Sequence, residues 1–165
     1  MLIGNPDKFA ILLHRVEEWN MDDTFKNGIL HFCINGEMFP KEILSVTLAC
    51  EVPWLREKMA NVVVDKKIYY QPKDEAFAAL YSKTFPEECS EDNDYRFQVN
   101  PECFLDFNYI TFAVSNGVNV RILATQLQYK TEESRHDLSF LQVLETSISN
   151  EEWDRMVIEL GKGEV

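Results

Sequence analysis

The sequence has few of the cations that bind phosphate and no long apolar run. Its 16 basic side chains stand against 28 acidic ones in 165 residues, giving a formal net charge of −12. Nucleic acid requires clustered cations, but the one adjacent basic pair is Lys66-Lys67. The sequence contains no run of about 18 apolar residues, so it predicts no membrane span. The start MLIGNPDKF does not resemble a secretory signal. Neither nucleic acid nor a membrane is therefore an expected partner.

The motifs of common enzymes and metal sites are also missing. The sequence contains no G-x-G-x-x-G, no G-x-x-x-x-G-K-[ST], no G-x-S-x-G and no H-E-x-x-H. No two cysteines have C-x-x-C spacing, and three of the four lie in or beside apolar runs. Reduced thiols in the cytoplasm are the expectation. No cofactor and no metal are expected.

The composition is that of a globular protein. Hydrophobic residues make up 45% of the chain and aromatic residues 12%. A chain of this length buries roughly 70% of the surface that its unfolded form exposes, so it folds without disulfides or metals. We predict one domain over residues 1–165.

Asparagine–glycine pairs predict two β-hairpins. Asn35-Gly36 lies within ILHFCINGEMF, and Asn116-Gly117 lies within ITFAVSNGVNVRIL. Such pairs tolerate positive φ at both central positions of a type I′ turn. Further strands are predicted at 8–16, 44–52 and 138–149.

Helices are predicted at 72–85, at 149–163 and, less regularly, at 53–61. The second begins with a capping box, Ser149 and Glu152. The apolar stripes of the two longer helices are Ala76, Phe77, Leu80, Tyr81 and Thr84, and Trp153, Met156, Val157 and Leu160. The predicted fold class is α+β: a single domain with a largely antiparallel β-sheet and two or three packed helices.

The stretch PEECSEDNDY, residues 86–95, carries five carboxylates with no intervening lysine or arginine, so we expect these carboxylates to be unpaired within the chain. A solvated loop, a metal site and a surface for a basic partner are the possible interpretations. An EF-hand is disfavoured, because the stretch has neither the glycine at the turn nor the closing glutamate. The candidate partner-binding residues here are Glu87, Glu88, Glu91, Asp92 and Asp94.

A second acidic group surrounds a tryptophan in EEWNMDD, residues 17–23. An aromatic side chain among carboxylates is typical of an interface anchor with a charged rim. The alternative interpretation is that Trp19 covers the hydrophobic core at the end of a strand. Trp19, Asp22 and Asp23 form the second set of candidate partner-binding residues.

Two alternatives to a binding protein remain open. His14 and His31 lie in predicted strands and are candidates for an acid/base pair. This enzyme hypothesis predicts a cleft that contains both histidines, whereas burial in apolar packing contradicts it. The other alternative is a scaffold subunit that associates with itself through an exposed strand edge.

The segments IGNPDKFAILLHRVEEWN and FKNGILHFCINGEMFP resemble the bacterial polymorphic-toxin immunity proteins of the immunity 42 group. The similar features are the Pro-x-Lys-Phe-Ala-Ile start, the Glu-Glu-Trp-Asn that ends the first long strand, and the Asn-Gly-Glu-x-Phe-Pro hairpin. They cover roughly the first 40 residues. The resemblance assigns no residue to an interface.

The resemblance implies a non-enzymatic cytoplasmic protein that binds and neutralises one cognate toxin domain of contact-dependent growth inhibition. Many such toxins are nucleases with basic surfaces. We therefore expect a ribonuclease toxin, a basic partner surface and a monomer in a 1:1 complex. The net charge of −12 agrees with this, because opposite charge accelerates association.

Overall fold

The computed structural model describes residues 1–22, 24–87 and 92–162. The strands that it describes, in chain order from β1 to β10, are Leu2–Asn5, Phe9–Arg15, Asn27–Ile34, Glu37–Phe39, Ser45–Thr47, Tyr109–Ser115, Asn119–Gln126, Gln128–Lys130, Arg135–Asp137 and Leu144–Ser149.

The described residues also form three helices of 12 or 13 residues and two single-turn helices. From α1 to α5 they are Leu48–Ala60, Lys66–Tyr69, Lys73–Thr84, Glu102–Leu105 and Asn150–Lys162. Two 3-10 turns, Glu17–Trp19 and Tyr95–Phe97, lie in the connections. Within the described residues, none of the helices is both long enough and apolar enough to cross a lipid bilayer.

The strands form two main sheets and a separate hairpin. The first sheet has the order β1-β2-β3-β4, with β5 also paired to β3; the second has the order β10-β7-β6; and β8 pairs with β9. Every pairing between these strands is antiparallel. The predicted α+β class with a largely antiparallel sheet is confirmed.

The second sheet is the middle layer of the molecule, and both of its faces are apolar. One face joins a core formed by the first sheet, α1 and α5, while the other packs against α2 and α3. Every residue of β6 is buried as a result. A strand covered on both faces carries a continuous apolar run, which is the pattern of YITFAVS.

Both predicted hairpins form, but their turns differ. Asn35 and Gly36 have φ of 52° and 83°, which matches the predicted type I′ turn. In the second hairpin Gly117 alone of the pair has a positive φ, +96°. There the Asn116 side chain accepts hydrogen bonds from the N–H groups of Val118 and Asn119, so the asparagine stabilises the turn with its side chain instead of its backbone.

The prediction of a strand at 44–52 is wrong for most of these residues. Only Ser45–Thr47 is extended, and α1 begins at Leu48. The helix includes Pro53, at which the predicted helix 53–61 had started. Its first two N–H groups donate to the carbonyls of Lys26 and Phe25 in the loop before β3, so the ends of two elements stabilise each other. The run predicted at 138–149 is likewise a strand only over Leu144–Ser149.

The two longer predicted helices are confirmed. All five residues predicted to form the buried stripe of α3 are buried. At the start of α5 the Glu152 N–H donates to Ser149 Oγ at 3.1 Å, and the Ser149 N–H donates to Glu152 Oε2 at 2.9 Å. This reciprocal pair is the predicted capping box.

Candidate functional site

The acidic segment, residues 86–94, follows α3 in the chain, and its last residue, Asp94, is hydrogen-bonded to that helix. The Asp94 N–H donates to the Lys83 carbonyl at 2.8 Å, and the Thr84 hydroxyl donates to the Asp94 carbonyl at 3.1 Å. Glu87 and Asp92 are exposed. The candidates Glu88 and Glu91 lie outside the described residues.

Two of the three carboxylates that the structure describes in this segment have cationic partners within the chain. Arg96 donates to both oxygens of Asp94, from Nε and from Nη2, at 2.8 Å each. These bonds hold the pKa of Asp94 below its ordinary value. Glu87 Oε1 accepts from Arg135 Nη1 at 2.6 Å. The expectation that the whole segment lacks cationic partners is therefore wrong for Glu87 and Asp94.

The arginine that pairs with Glu87 belongs to the β8–β9 hairpin, and a cleft of about 920 Å³ separates this hairpin from the end of α3. We call this space the aromatic cleft. Its lining includes the rings Tyr81, Phe85, Tyr129 and His136, and the charged residues Glu87, Lys130, Glu133, Arg135 and Asp137.

The rings of the cleft are in contact with one another. Ring centroids are 5.0 Å apart for Tyr81 and Phe85, 5.7 Å for Tyr81 and His136, and 5.4 Å for Tyr129 and His136. Tyr95, beyond Phe85 at 6.2 Å, extends the row toward the acidic segment. Tyr129 and Tyr95 are 50% and 45% exposed, so both ends of the row are open to a partner.

His136 is held as a neutral ring at the base of this row. Its Nε2 is 2.9 Å from Asn108 Oδ1, which only accepts hydrogen bonds, so Nε2 carries the proton. Nδ1 then accepts from the Tyr81 hydroxyl at 2.7 Å. Burial lowers the pKa of His136 and raises that of Tyr81. Both ring nitrogens are thus engaged within the protein.

Negative charge predominates on both sides of the cleft. The described residues of 86–96 and 128–139 together carry six acidic and three basic side chains. The hairpin's own cations are paired, Lys130 with Asp137 at 3.2 Å and Arg135 with Glu133 at 2.6 Å. Hydrogen bonds from Ser139, and then the neighbouring Lys130, lower the pKa of Asp137 to about 2. This surface remains anionic across the physiological pH range.

The second candidate group lies on a loop of the first sheet. Trp19 ends the 3-10 turn after β2 and is 42% exposed, so it does not cover the core. Met21 and Phe25 on the same loop are also exposed. Asp22 accepts the Thr24 N–H at 2.9 Å, which lowers the pKa of its carboxyl. Asp23 lies outside the described residues.

The loop around Trp19 is shaped by one asparagine. The Asn20 amide donates to the carbonyls of Val16 and Asn27 and accepts the Asn27 N–H. These bonds close the loop between β2 and β3, leaving its apolar side chains on the outside. The loop contacts β3 of the first sheet, whereas the turn Tyr95–Phe97 contacts α3 and β6. The two candidate groups therefore belong to different layers of the fold.

The two strand histidines do not form an accessible pair. The register of β2 and β3 places them on one face of the first sheet, with Leu12 opposite His31 and Ile29 opposite His14. His14 is exposed, but His31 is only 1% exposed, and its Nδ1 is 3.0 Å from the Pro40 carbonyl. This burial contradicts the requirement that both rings be reachable.

Metal chemistry finds no support in the described part of the chain. No group of three or more His, Cys, Asp or Glu side chains there has a geometry suited to a metal ion. Cys33, Cys50 and Cys103 are free thiols, while Cys89 lies outside the described residues.

The aromatic cleft was not predicted from the sequence. Its rings come from α3, from the segment after α3 and from the β8–β9 hairpin, about 50 residues further along the chain. Tyr81 was predicted as a core residue, and it is buried. The signal that pointed toward the cleft was the acidic segment, because Glu87 is part of its rim.

Comparison with known proteins places this chain in a family. The model of the family described as immunity protein 42 matches residues 1–162. The crystal structure of CdiI from Burkholderia dolosa AUO158 has a similar fold, with a TM-score of 0.77 and 24% sequence identity over 99% of this chain and 100% of that one. No curated protein sequence matches significantly. Since the family model spans nearly the whole chain, the protein belongs to the immunity protein 42 family.

Proposed function

We propose that this immunity protein binds a cognate toxin domain of contact-dependent growth inhibition in the cytoplasm and neutralises it without catalysis. Membership of the family implies a cognate toxin as partner. The toxin is a nuclease, most simply a ribonuclease, with a basic surface. The complex has 1:1 stoichiometry and covers the active site or the substrate-binding surface of the toxin.

The observation that carries this proposal is the anionic, aromatic surface around segment 86–94. A nuclease holds the phosphates of its substrate with arginine and lysine. The carboxylates of this surface can accept hydrogen bonds from those arginine and lysine side chains of the toxin. The exposed rings of Tyr95 and Tyr129 beside them provide flat apolar contact area. A protein that occupies those cations prevents the toxin from binding its substrate.

The ion pairs within the chain do not prevent this role. The Glu87 side chain is 80% exposed and its partner Arg135 is 52% exposed. Exposed pairs of this kind contribute about 0–1 kcal/mol. Glu87 can therefore exchange Arg135 for a cation of the toxin at little cost, and the pairs keep the carboxylates in position before binding.

The loop with Trp19 and Asp22 is the second proposed contact. Its exposed Trp19, Met21 and Phe25 offer apolar area, and tryptophan is enriched among the residues that dominate binding energy. Truncation of Trp19 to alanine tests this loop independently of the acidic segment.

The family resemblance implies that the toxin is encoded immediately upstream of its immunity protein. The first test is therefore co-expression of the tagged protein with the protein encoded at that position, followed by purification at low and high salt. We expect a stoichiometric complex that high salt loosens, because charge complementarity contributes to capture. The pair Asp92→Asn and Asp94→Asn should weaken capture and reduce its salt dependence. The control pair Asp154→Asn and Glu159→Gln, exposed on α5, should retain the complex. Absence of a complex at both salt concentrations contradicts the proposed function.

A further inference from the structure

We propose that the aromatic cleft receives an arginine side chain of the toxin and that this arginine anchors the interface. The inference rests on the proposed function and extends it to a specific contact. The cleft lies between the end of α3 and the β8–β9 hairpin. Among the described residues, its lining includes one of the candidate partner-binding residues, Glu87.

The shape and lining of the cleft suit a planar cation. Four contacting rings line the space, and one of them, Tyr129, is half exposed. A guanidinium group stacks on such rings and is weakly hydrated, so it enters an aromatic site more readily than an ammonium group does. The volume of about 920 Å³ exceeds that of one side chain, so it also admits the backbone of the loop that carries the arginine.

The rim of the cleft already binds one guanidinium group, that of the chain's own Arg135. Its Nη1 donates to Glu87 and its Nε donates to Glu133, each at 2.6 Å. Two carboxylates on opposite sides of the cleft, one after α3 and one on the hairpin, thus converge on an arginine. An incoming arginine makes the contact with Glu87 by replacing Arg135 there.

The charges at the cleft disfavour an anionic occupant. Lys130 and Arg135, the cations of the lining, are both paired with carboxylates. His136 is neutral, and both of its nitrogens are already engaged. A phosphate would therefore find no unpaired cation among the described lining residues. The three carboxylates of the lining, Glu87, Glu133 and Asp137, are paired with these same two cations but outnumber them, so the described lining is net negative and favours a cation.

The test is a titration of the isotope-labelled protein with a blocked tri-arginine peptide, followed by NMR. Matched tri-lysine and tri-citrulline peptides separate the contribution of charge from that of planar shape. We expect the chemical shifts of the backbone amides in residues 81–87 and 128–139 to change on titration. The arginine peptide should bind about two- to fivefold more tightly than the lysine peptide. The citrulline peptide should not bind. Equal binding of arginine and lysine peptides, or shifts spread evenly over other acidic surfaces, would overturn the inference.

Two variants localise the effect. Tyr129→Leu removes the exposed ring and should abolish the preference for arginine, whereas Tyr70→Leu, an exposed tyrosine outside the cleft, should keep it. Glu133→Gln should weaken both cationic peptides, and Glu57→Gln on α1 should not. An unchanged arginine preference in Tyr129→Leu contradicts the inference, provided that the amide spectrum outside the cleft shows a folded protein.

The toxin itself separates this inference from the function on which it rests. If wild type and the double variant Tyr129→Leu, Glu133→Gln capture the toxin with equal affinity, the inference is wrong and the proposed function stands. If the double variant loses tenfold or more in affinity while the Tyr70→Leu, Glu57→Gln control does not, the inference is supported. If wild type captures no toxin, the proposed function fails and the peptide titration alone decides what the cleft binds.

Discussion

At the scale of the residue, the Glu51 carboxylate joins two helices that are far apart in the sequence. From α1 it accepts the N–H of Glu102 at 2.7 Å and that of Cys103 at 3.1 Å, at the start of α4. These donors have no partner within their own helix. Burial, with the nearby Glu51 charge as a second cause, raises the pKa of the Cys103 thiol to about 12.

We expect Glu51→Ala to lower the free energy of unfolding by about 2 kcal/mol, because it leaves two backbone donors without their acceptor. Urea denaturation measures the loss. Glu57→Ala, an exposed position on the same helix, is the control and should change stability by less than about 0.5 kcal/mol. Similar losses for the two variants would show that the carboxylate does not act as an α4 cap.

His136 should make stability depend on pH just below neutrality. Burial lowers its pKa in the folded protein below the ordinary 6.5, so the unfolded chain takes up a proton first as the pH falls. Its contribution to stability is therefore complete above pH 6.5 and is lost as the pH falls from 6.5 to the lowered folded pKa. The loss cannot exceed about 1.4 kcal/mol per pH unit for a single proton.

The variant His136→Gln keeps a side chain that can both donate and accept, but it does not titrate. We expect its free energy of unfolding to fall less than that of wild type between pH 7.5 and pH 5. Urea denaturation at several pH values compares the two proteins. Identical pH dependence would show that His136 does not carry the effect.

At the scale of the element, local sequence predicted those structures whose stabilising contacts are themselves local. The capping box of α5, the stripe of α3 and the turn at Asn35-Gly36 depend on residues within four positions of one another. The strand predicted at 44–52 failed because Leu48 continues the alternation of Leu44 and Val46. In the structure Leu48 instead begins the helical stripe that continues with Val52, Leu55 and Met59.

The capping box of α5 should contribute to the stability of the folded protein. Ser149→Ala removes the acceptor of the Glu152 N–H and should lower the free energy of unfolding by about 1 kcal/mol, whereas Ser149→Asp should restore most of it. The hydrogen bonds from Ser149 to the Glu152 carboxylate lower the pKa of Glu152. Their contribution to stability is therefore complete above the ordinary pKa of a glutamate and is lost as the pH falls through the lowered pKa of Glu152. Thermal unfolding followed by circular dichroism tests both variants, and equal stability of Ala and Asp would argue against a capping role.

At the scale of the whole molecule, the candidate site could be predicted only in part. The sequence indicated the acidic segment and the tryptophan loop, because clusters of charge and aromatic residues are visible along the chain. The aromatic cleft was missed, since the packing of the second sheet brings together segments such as Glu87 and Arg135, 48 positions apart. The same separation explains why Glu87 was expected to be unpaired.

Net charge is a property of the whole molecule, and it should act on the rate of association more than on the lifetime of the complex. Two sets of substitutions each remove three negative charges. One is Glu57→Gln, Asp154→Asn and Glu159→Gln on α1 and α5; the other is Glu87→Gln, Asp92→Asn and Asp94→Asn in the acidic segment. All but the partly buried Asp94 are exposed in the folded protein.

Both sets should slow association with the toxin at low salt, because the long-range field depends on total charge. The second set alone should also accelerate dissociation, because substitutions at an interface act mainly on that rate. The association rates of wild type and both variants should converge at about 0.1 M salt and above. There the Debye length is about 10 Å or less, so the long-range field of the net charge is largely screened. Surface plasmon resonance at several salt concentrations measures both rates. If the α1 and α5 set instead shortened the lifetime of the complex, those helices would form the interface and segment 86–94 would contribute only to the field.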